Sequence, residues 1–508
     1  IMIKPDGQIL VIFGASGDLT KRKLLPSLYE LFARDMLPEN FVILGVARTP
    51  FSDEEFRIQQ KDNLKAFLKG KHPEAKQLDA FLERVHYLGF NSDEAAEYHL
   101  LVEKIAELRK AKDIPDHLIF YLATPPQKYG PIAEALRKSK LNKASEEGGW
   151  RRIIVEKPFG SSLETAQALN KQLCSIFDEE DIYRIDHFLG KETVQNILAL
   201  RFANSVFEPL WNRNYIDYVE ITAVENMGIG TRGGFYDGVG TLRDMVQNHL
   251  AQLLAVTAME PPAAFDASGF RNEVVKVYQS LTPLTGEDIR HSVVRGQYMA
   301  SEGRKGYREE EQVPALSRTE TYLAMRLELN NWRWGGVPFY IRTGKQMPTK
   351  VSEIVIHFKP APYSLFRCEG GTCPVPNRLV IRIQPNEGIV LRLGMKKPGE
   401  GFEVLPMDMD FSYAELGRLP TEDAYARLIE DCIAGDPTLF IRSDAVESGW
   451  RFFDPILKYW QDVPECPLYG YPAGSWGPLE ADSLVARQGA SWTNPCKNLT
   501  NTHLYCEL

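Results

Sequence analysis

Through the first third of the chain, short apolar runs alternate with longer stretches whose leucines recur at helical spacing, the pattern of a parallel sheet wrapped by helices. Gln8-Ile9-Leu10-Val11-Ile12-Phe13 predicts a buried strand, and Leu24, Leu25, Leu28, Leu31 and Phe32 predict the helix that follows it. Phe41 to Val46 predicts a second strand, and Ser52 with Glu55 predicts a capping box opening the next helix. Leu118 to Leu122 and Arg152 to Val155 read as further strands. After about residue 186 the texture changes. Runs such as Val219 to Val224 and Ser352 to Phe358 alternate apolar and polar residues as half-buried antiparallel strands do, and a helix is expected from Thr241 to Met259. The chain therefore predicts an α/β Rossmann-type domain over residues 1–186. An α+β domain with one large, mainly antiparallel sheet is expected over 187–508.

Composition narrows the functional class. The 508 residues are 44% hydrophobic and 25% charged, which is ordinary for a globular protein. With 59 lysines and arginines against 68 acidic residues the formal charge is −9, so nucleic acid is not an expected partner. Any anion must be gripped by local cations and helix N-termini. No run approaches the roughly 18 apolar residues of a membrane span, and the opening Ile1-Met2-Ile3-Lys4-Pro5-Asp6 lacks a signal-peptide layout, so a cytoplasmic protein is expected. Seven cysteines are too few for a disulfide framework. Cys368 and Cys373 lie in a Gly-rich stretch without the histidine or second cysteine pair of a zinc site, and no metal is expected. The sequon at Asn498 is read as a chance triplet.

Chemistry concentrates at the predicted strand ends. Gly14-Ala15-Ser16-Gly17-Asp18-Leu19 joins the first strand to the first helix, where glycines let the backbone turn sharply and approach a pyrophosphate. Its spacing departs from G-x-G-x-x-G, and any tight strand-to-helix connection can need glycine. The second strand ends in Ala47-Arg48-Thr49, with no acidic residue to accept from ribose hydroxyls; Arg48 suits a 2′-phosphate, which favours NADP. Tyr121-Leu122-Ala123-Thr124-Pro125-Pro126 stiffens another strand end. Glu156-Lys157-Pro158 delivers Lys157 within reach of cofactor and substrate, although a surface salt bridge is the plainer reading of that lysine.

Arg184-Ile185-Asp186-His187-Phe188-Leu189-Gly190-Lys191-Glu192 gathers a carboxylate, an imidazole and an amine in one short segment. His187 and Lys191 are four apart, so on a helix or an irregular turn both can address one phosphate. Between Leu242 and Leu254, Asp244 and His249 sit among apolar residues at helical spacing, and such buried polarity needs a reason. A lone histidine there is more often a satisfied core residue. Removing hydride from an alcohol carbon, however, requires a base for the hydroxyl proton, and neutral imidazole serves near neutral pH.

The runs from Gly14 to Leu24, Glu156 to Gly160, Arg184 to Glu192 and Arg243 to His249 closely resemble the glucose-6-phosphate dehydrogenase family. The resemblance continues through Phe339 to Lys345 and on to Tyr471 to Pro478. It implies oxidation of glucose 6-phosphate at C1 with NADP, by a homodimer or homotetramer whose second domain binds substrate and pairs the subunits. It also implies that His249 is the base and Asp186 its orienting carboxylate. His187 and Lys191 would hold the sugar phosphate with Lys350 nearby. Glu225, Asp244 and Lys345 would meet sugar hydroxyls or the reacting end, and Lys157, ahead of a cis peptide bond to Pro158, would bridge coenzyme and sugar. Gly14 to Leu19 and Arg48 would hold the coenzyme. Phe188 departs from the family's usual tyrosine and lacks its hydroxyl, and the tail from Thr493 to Leu508, with Cys496 and Cys506, has no assigned role. A glucose-fructose oxidoreductase shares the general architecture but not the Arg-Ile-Asp-His segment or the His249 helix. Intact Asp186, Lys191 and His249 weigh against a silent NADP-binding regulator.

Overall fold

The computed structural model describes residues 5–68, 74–145, 148–363, 365–368, 376–399, 401–413, 423–486 and 490–495. Cys373, Asn498, Cys496 and Cys506 lie outside the described residues. The chain divides into two compact units: residues 1–191 with 263–271 and 422–447, and the remainder.

The first unit is built on six parallel strands: β1 (Gln8–Phe13), β2 (Phe41–Ala47), β3 (Val85–Gly89), β4 (His117–Leu122), β5 (Trp150–Glu156) and β6 (Ile182–Ile185). Their order, β3-β2-β1-β4-β5-β6, is that of a dinucleotide-binding Rossmann sheet. Every residue of β1 is buried, as expected of a central parallel strand covered by helices on both faces. The Ser52–Glu55 capping box is present. The Ser52 hydroxyl accepts from the Glu55 amide at 3.2 Å, and the Glu55 carboxylate accepts from the Ser52 amide at 2.8 Å.

The second unit carries ten strands: β7 (Ile216–Val224), β8 (Val293–Met299), β9 (Tyr322–Glu328), β10 (Pro338–Gly344), β11 (Val351–Phe358), β12 (Arg367–Cys368), β13 (Arg378–Gln384), β14 (Gly388–Lys396), β15 (Glu403–Ser412) and β16 (Tyr469–Pro472). They form one mixed, mostly antiparallel sheet in the order β12-β15-β14-β13-β11-β7-β10-β9-β8-β16. The alternation in β7 and β11 predicts half-buried strands, but almost every position of β7, β10 and β11 is buried. Their polar side chains are paired inside the fold rather than solvated. Glu220 accepts from the Thr493 amide at 2.9 Å and pairs with His357 at 2.7 Å, while Arg342 donates to Asn494 at 2.9 Å. Among the described residues no helix is long and apolar enough to cross a membrane.

Candidate active site

Each unit holds one cluster of the residues singled out by sequence. In the first unit all six strands run the same way, so their carboxyl ends share one edge, and the loops leaving that edge carry every predicted coenzyme residue. At the end of β1, Gly14 adopts φ +85°, and its amide and that of Ala15 donate to the Val46 carbonyl at 2.9 and 3.1 Å. A Cβ on Gly14 would lie 2.2 Å from the Ala123 carbonyl oxygen, so only glycine fits beside the end of β4. The turn closes through the Gly17 amide, which donates to Gly14 at 2.9 Å, and through the Thr20 hydroxyl, which donates to the same carbonyl at 3.2 Å. A π-helical turn, Thr20–Leu24, precedes the helix Leu25–Ala33 that sequence periodicity begins at Leu24. The Lys21 ammonium, 2.6 Å from Asp18, holds that carboxyl below its ordinary range. Arg48 follows β2 with its side chain exposed. A glycine turn leading into a helix, with an exposed guanidinium at the adjacent strand end, is a donor set that fits a phosphorylated dinucleotide.

Two strands along, β5 ends in the buried Glu156, and Lys157 is joined to Pro158 by a cis peptide bond. Tyr121 donates to Glu156 at 2.5 Å, and burial pushes the Glu156 carboxyl up to about 7. β6 is followed by the buried Asp186, whose Oδ1 accepts from the Phe188 amide at 2.9 Å. From Asp186 to Lys191 the chain is an irregular turn closed by Leu189 N–H to Asp186 and Lys191 N–H to Phe188. This turn sets His187 and Lys191 against the same ring: the imidazole centroid is 5.2 Å from that of Phe188, and the Lys191 ammonium stands 4.0 Å over its face. Phe188, missing a hydroxyl, thus serves as an apolar seat for an ammonium.

In the second unit, β10 and β7 run parallel with Gly344 opposite Val224, so the next residue on each strand emerges at the same end. Those residues are Lys345 and Glu225. The Lys345 ammonium is buried, hydrogen-bonds to the Glu225 carboxylate and lies 3.3 Å from Asp244. Its backbone is pinned by the Tyr471 hydroxyl, which donates to the Lys345 carbonyl at 2.7 Å. Two carboxylates around one ammonium offer acceptors and donors together, which suits neighbouring sugar hydroxyls. Lys350, exposed, precedes Val351, which pairs with Val224 at the end of β7.

Asp244 and the buried His249 share a segment that departs from the predicted winding. Leu242–Leu250 is π-helical, and only Ala251–Ala258 continues as α-helix. Hydrogen bonds from i to i+5 bring residues five apart towards one side, where α-winding would separate them, so Asp244 and His249 share a face. Sequence periodicity cannot distinguish the two windings. It also gives no sign of Tyr425, whose ring lies parallel to His187 at 6.1 Å within the first unit, because that tyrosine belongs to an ordinary amphipathic helix far along the chain.

Two family models divide the chain between them: the glucose-6-phosphate dehydrogenase NAD binding domain matches residues 11–196, and the C-terminal domain of the same enzyme matches 198–493. The glucose-6-phosphate 1-dehydrogenase of Aggregatibacter actinomycetemcomitans is 50% identical over 97% of this chain and 98% of its own length. That of Treponema pallidum is 47% identical, covering 98% of each. Among solved structures, a glucose-6-phosphate dehydrogenase in complex with its substrate glucose-6-phosphate superposes with a TM-score of 0.89 at 34% identity, covering 97% of this chain and all of the other. The enzyme from Mycobacterium avium gives 0.80 at 36% identity, covering 97% and 99%. With both domain models matched in order over residues 11–493 and with relatives 50% and 47% identical over nearly the whole length of each chain, the chain belongs to the glucose-6-phosphate dehydrogenase family.

Proposed function

We propose that this chain oxidises glucose 6-phosphate at C1 to 6-phosphogluconolactone with NADP as coenzyme, the first oxidative step of the pentose phosphate pathway, acting in the cytoplasm as a homodimer or homotetramer. The observation that carries the reading is the match to the family over residues 11–493 together with a buried lysine after β10 held by Glu225, after β7, and by Asp244 of the π-helical segment. Bound coenzyme supplies the hydride acceptor. The chain's own residues do the rest. The His249 imidazole takes the C1 hydroxyl proton, and Asp186 fixes its tautomer and stabilises the imidazolium. His187 and Lys191 grip the phosphate, assisted by Lys350, and the phosphate's binding free energy orients C1. Glu225, Asp244 and Lys345 take sugar hydroxyls, while Lys157 addresses coenzyme and sugar. Gly14, Ala15, Ser16, Gly17, Asp18 and Leu19 receive the pyrophosphate, and Arg48 pairs with the 2′-phosphate. The test is the absorbance of reduced nicotinamide with glucose 6-phosphate or glucose, each with NADP and with NAD. Efficient turnover of glucose 6-phosphate with NADP is expected, with free glucose a very poor substrate. Similar efficiency for the two sugars would overturn the assignment of His187 and Lys191.

A further inference from the structure

The geometry points to Tyr425 as a positioning residue that holds the His187 imidazole in place for the sugar phosphate, an inference that rests on the phosphate-binding reading of His187. Tyr425 opens the helix Ala424–Ala434, whose N-cap, Asp423, accepts from the Tyr425 amide at 3.0 Å and from the Ser27 hydroxyl at 3.2 Å. The start of that helix closes directly on the turn after β6, since a Cβ on Gly190 would lie 2.4 Å from the Ala424 carbonyl oxygen. The two rings are parallel to within 8° at a centroid separation of 6.1 Å, an offset-stacked arrangement. The Tyr425 phenol lies close to the buried Glu156, which accepts from Tyr121 at 2.5 Å, and burial pushes the phenol up, so it stays neutral.

The consequence is a link between two strand ends. Glu156 precedes Lys157 at the end of β5, His187 lies just past β6, and the Tyr425 ring stacks on the second with its phenol close to the first. A phosphate ligand loses affinity when the group that grips it must first be ordered, because fixing a mobile side chain costs conformational entropy. A ring held from behind on a rigid helix removes that cost and sets the direction of the imidazole donor. The contribution therefore appears in phosphate affinity and not in the proton or hydride steps.

The experiment compares Tyr425→Leu, Tyr425→Phe and His187→Ala with the parent enzyme. It measures KM for glucose 6-phosphate, competitive inhibition by inorganic phosphate, and kcat/KM for free glucose at high concentration. Tyr425→Leu is expected to raise KM for glucose 6-phosphate roughly 3- to 10-fold, the range of one aromatic pair, and to weaken phosphate inhibition by a similar factor. Its kcat/KM for glucose, which has no phosphate to grip, stays within about twofold of the parent. Tyr425→Phe keeps the ring and recovers most of the loss. An equal fall in glucose and glucose 6-phosphate turnover would show a merely structural role and overturn the proposal, as would unchanged KM and phosphate inhibition in Tyr425→Leu. If His187→Ala impairs phosphate recognition while Tyr425→Leu does not, Tyr425 alone is eliminated. If His187→Ala leaves phosphate recognition intact, the reading of His187 fails and the positioning role falls with it.

Discussion

On the proposed reading, the exposed Arg48 guanidinium after β2 would pair with a 2′-phosphate through parallel hydrogen bonds that an unphosphorylated ribose cannot return, and the stretch Ala47-Arg48-Thr49 carries no acidic residue to prefer the free hydroxyl. Arg48→Ala should therefore raise KM for NADP far more than KM for NAD. Equal effects on the two coenzymes in steady-state assays would remove Arg48 from the selection. His249 makes the sharper case, because an uncharged imidazole has the right basicity for the C1 hydroxyl, and positioned acid–base catalysis supplies about 10²- to 10⁴-fold in rate. His249→Asn should keep circular dichroism and substrate binding while losing turnover by that order. Asp186→Asn should lose less. Its side-chain carbonyl can still accept from the Phe188 amide, as Oδ1 does at 2.9 Å, and the base remains with a less well supported imidazolium. Calorimetric binding and nicotinamide absorbance on the same samples separate the steps, and near-normal turnover in His249→Asn would refute the role.

At the scale of the element, the turn after β1 offers a direct check of how tightly local geometry is specified. Gly14→Ala must place a Cβ against the Ala123 carbonyl in a left-handed backbone, a strain of about 1–3 kcal/mol before the clash is counted. Gly17→Ala meets only the Gly14 carbonyl oxygen at 3.1 Å. Denaturant melts should show Gly14→Ala clearly the more destabilised and deficient in coenzyme binding; equal midpoints would contradict this account of the turn. The strand, turn and cap of this unit were legible because each rests on local chemistry: an apolar run, a glycine, a Ser–Glu spacing of three. The His249 segment was legible as a helix but not as π-helix, since apolar spacing alone does not fix the hydrogen-bond register. Lys345 beside Glu225 was legible only through the family resemblance, because it depends on β10 pairing parallel to β7 across a long stretch of chain. Tyr425 was not legible at all. Nothing in an amphipathic helix announces which of its rings will lie against an imidazole from another element.

At the scale of the whole molecule, buried carboxyls pull stability in two directions as pH changes. Burial pushes Glu156 up to about 7, and burial pushes Asp431 up to about 7 against the pull of Arg427. Burial alone would also raise Asp116 and Glu220. For Asp116 the Ser145 amide, Arg151 and Arg109 outweigh it, and for Glu220 His357 and the Thr493 amide do, so both lie below their ordinary values. The signs follow. For the raised pair the folded chain holds its protons to higher pH than the unfolded chain, so their stabilisation is complete below the ordinary carboxylate range and is lost as pH rises through about 7. For the lowered pair stabilisation is present above the ordinary range and is lost as pH falls through their folded values. Thermal stability should thus pass through a maximum at mildly acidic pH. Each raised group should contribute on the order of 1–3 kcal/mol to the decline between about pH 5 and about pH 8. Glu156→Gln keeps an acceptor for the Tyr121 hydroxyl but cannot ionise, so scanning calorimetry should find its decline over that interval shallower than the parent's, with Asp431→Asn behaving alike. Parallel curves for variant and parent would show that these two carboxyls do not hold their protons in the folded state, and the alkaline loss would then need another source.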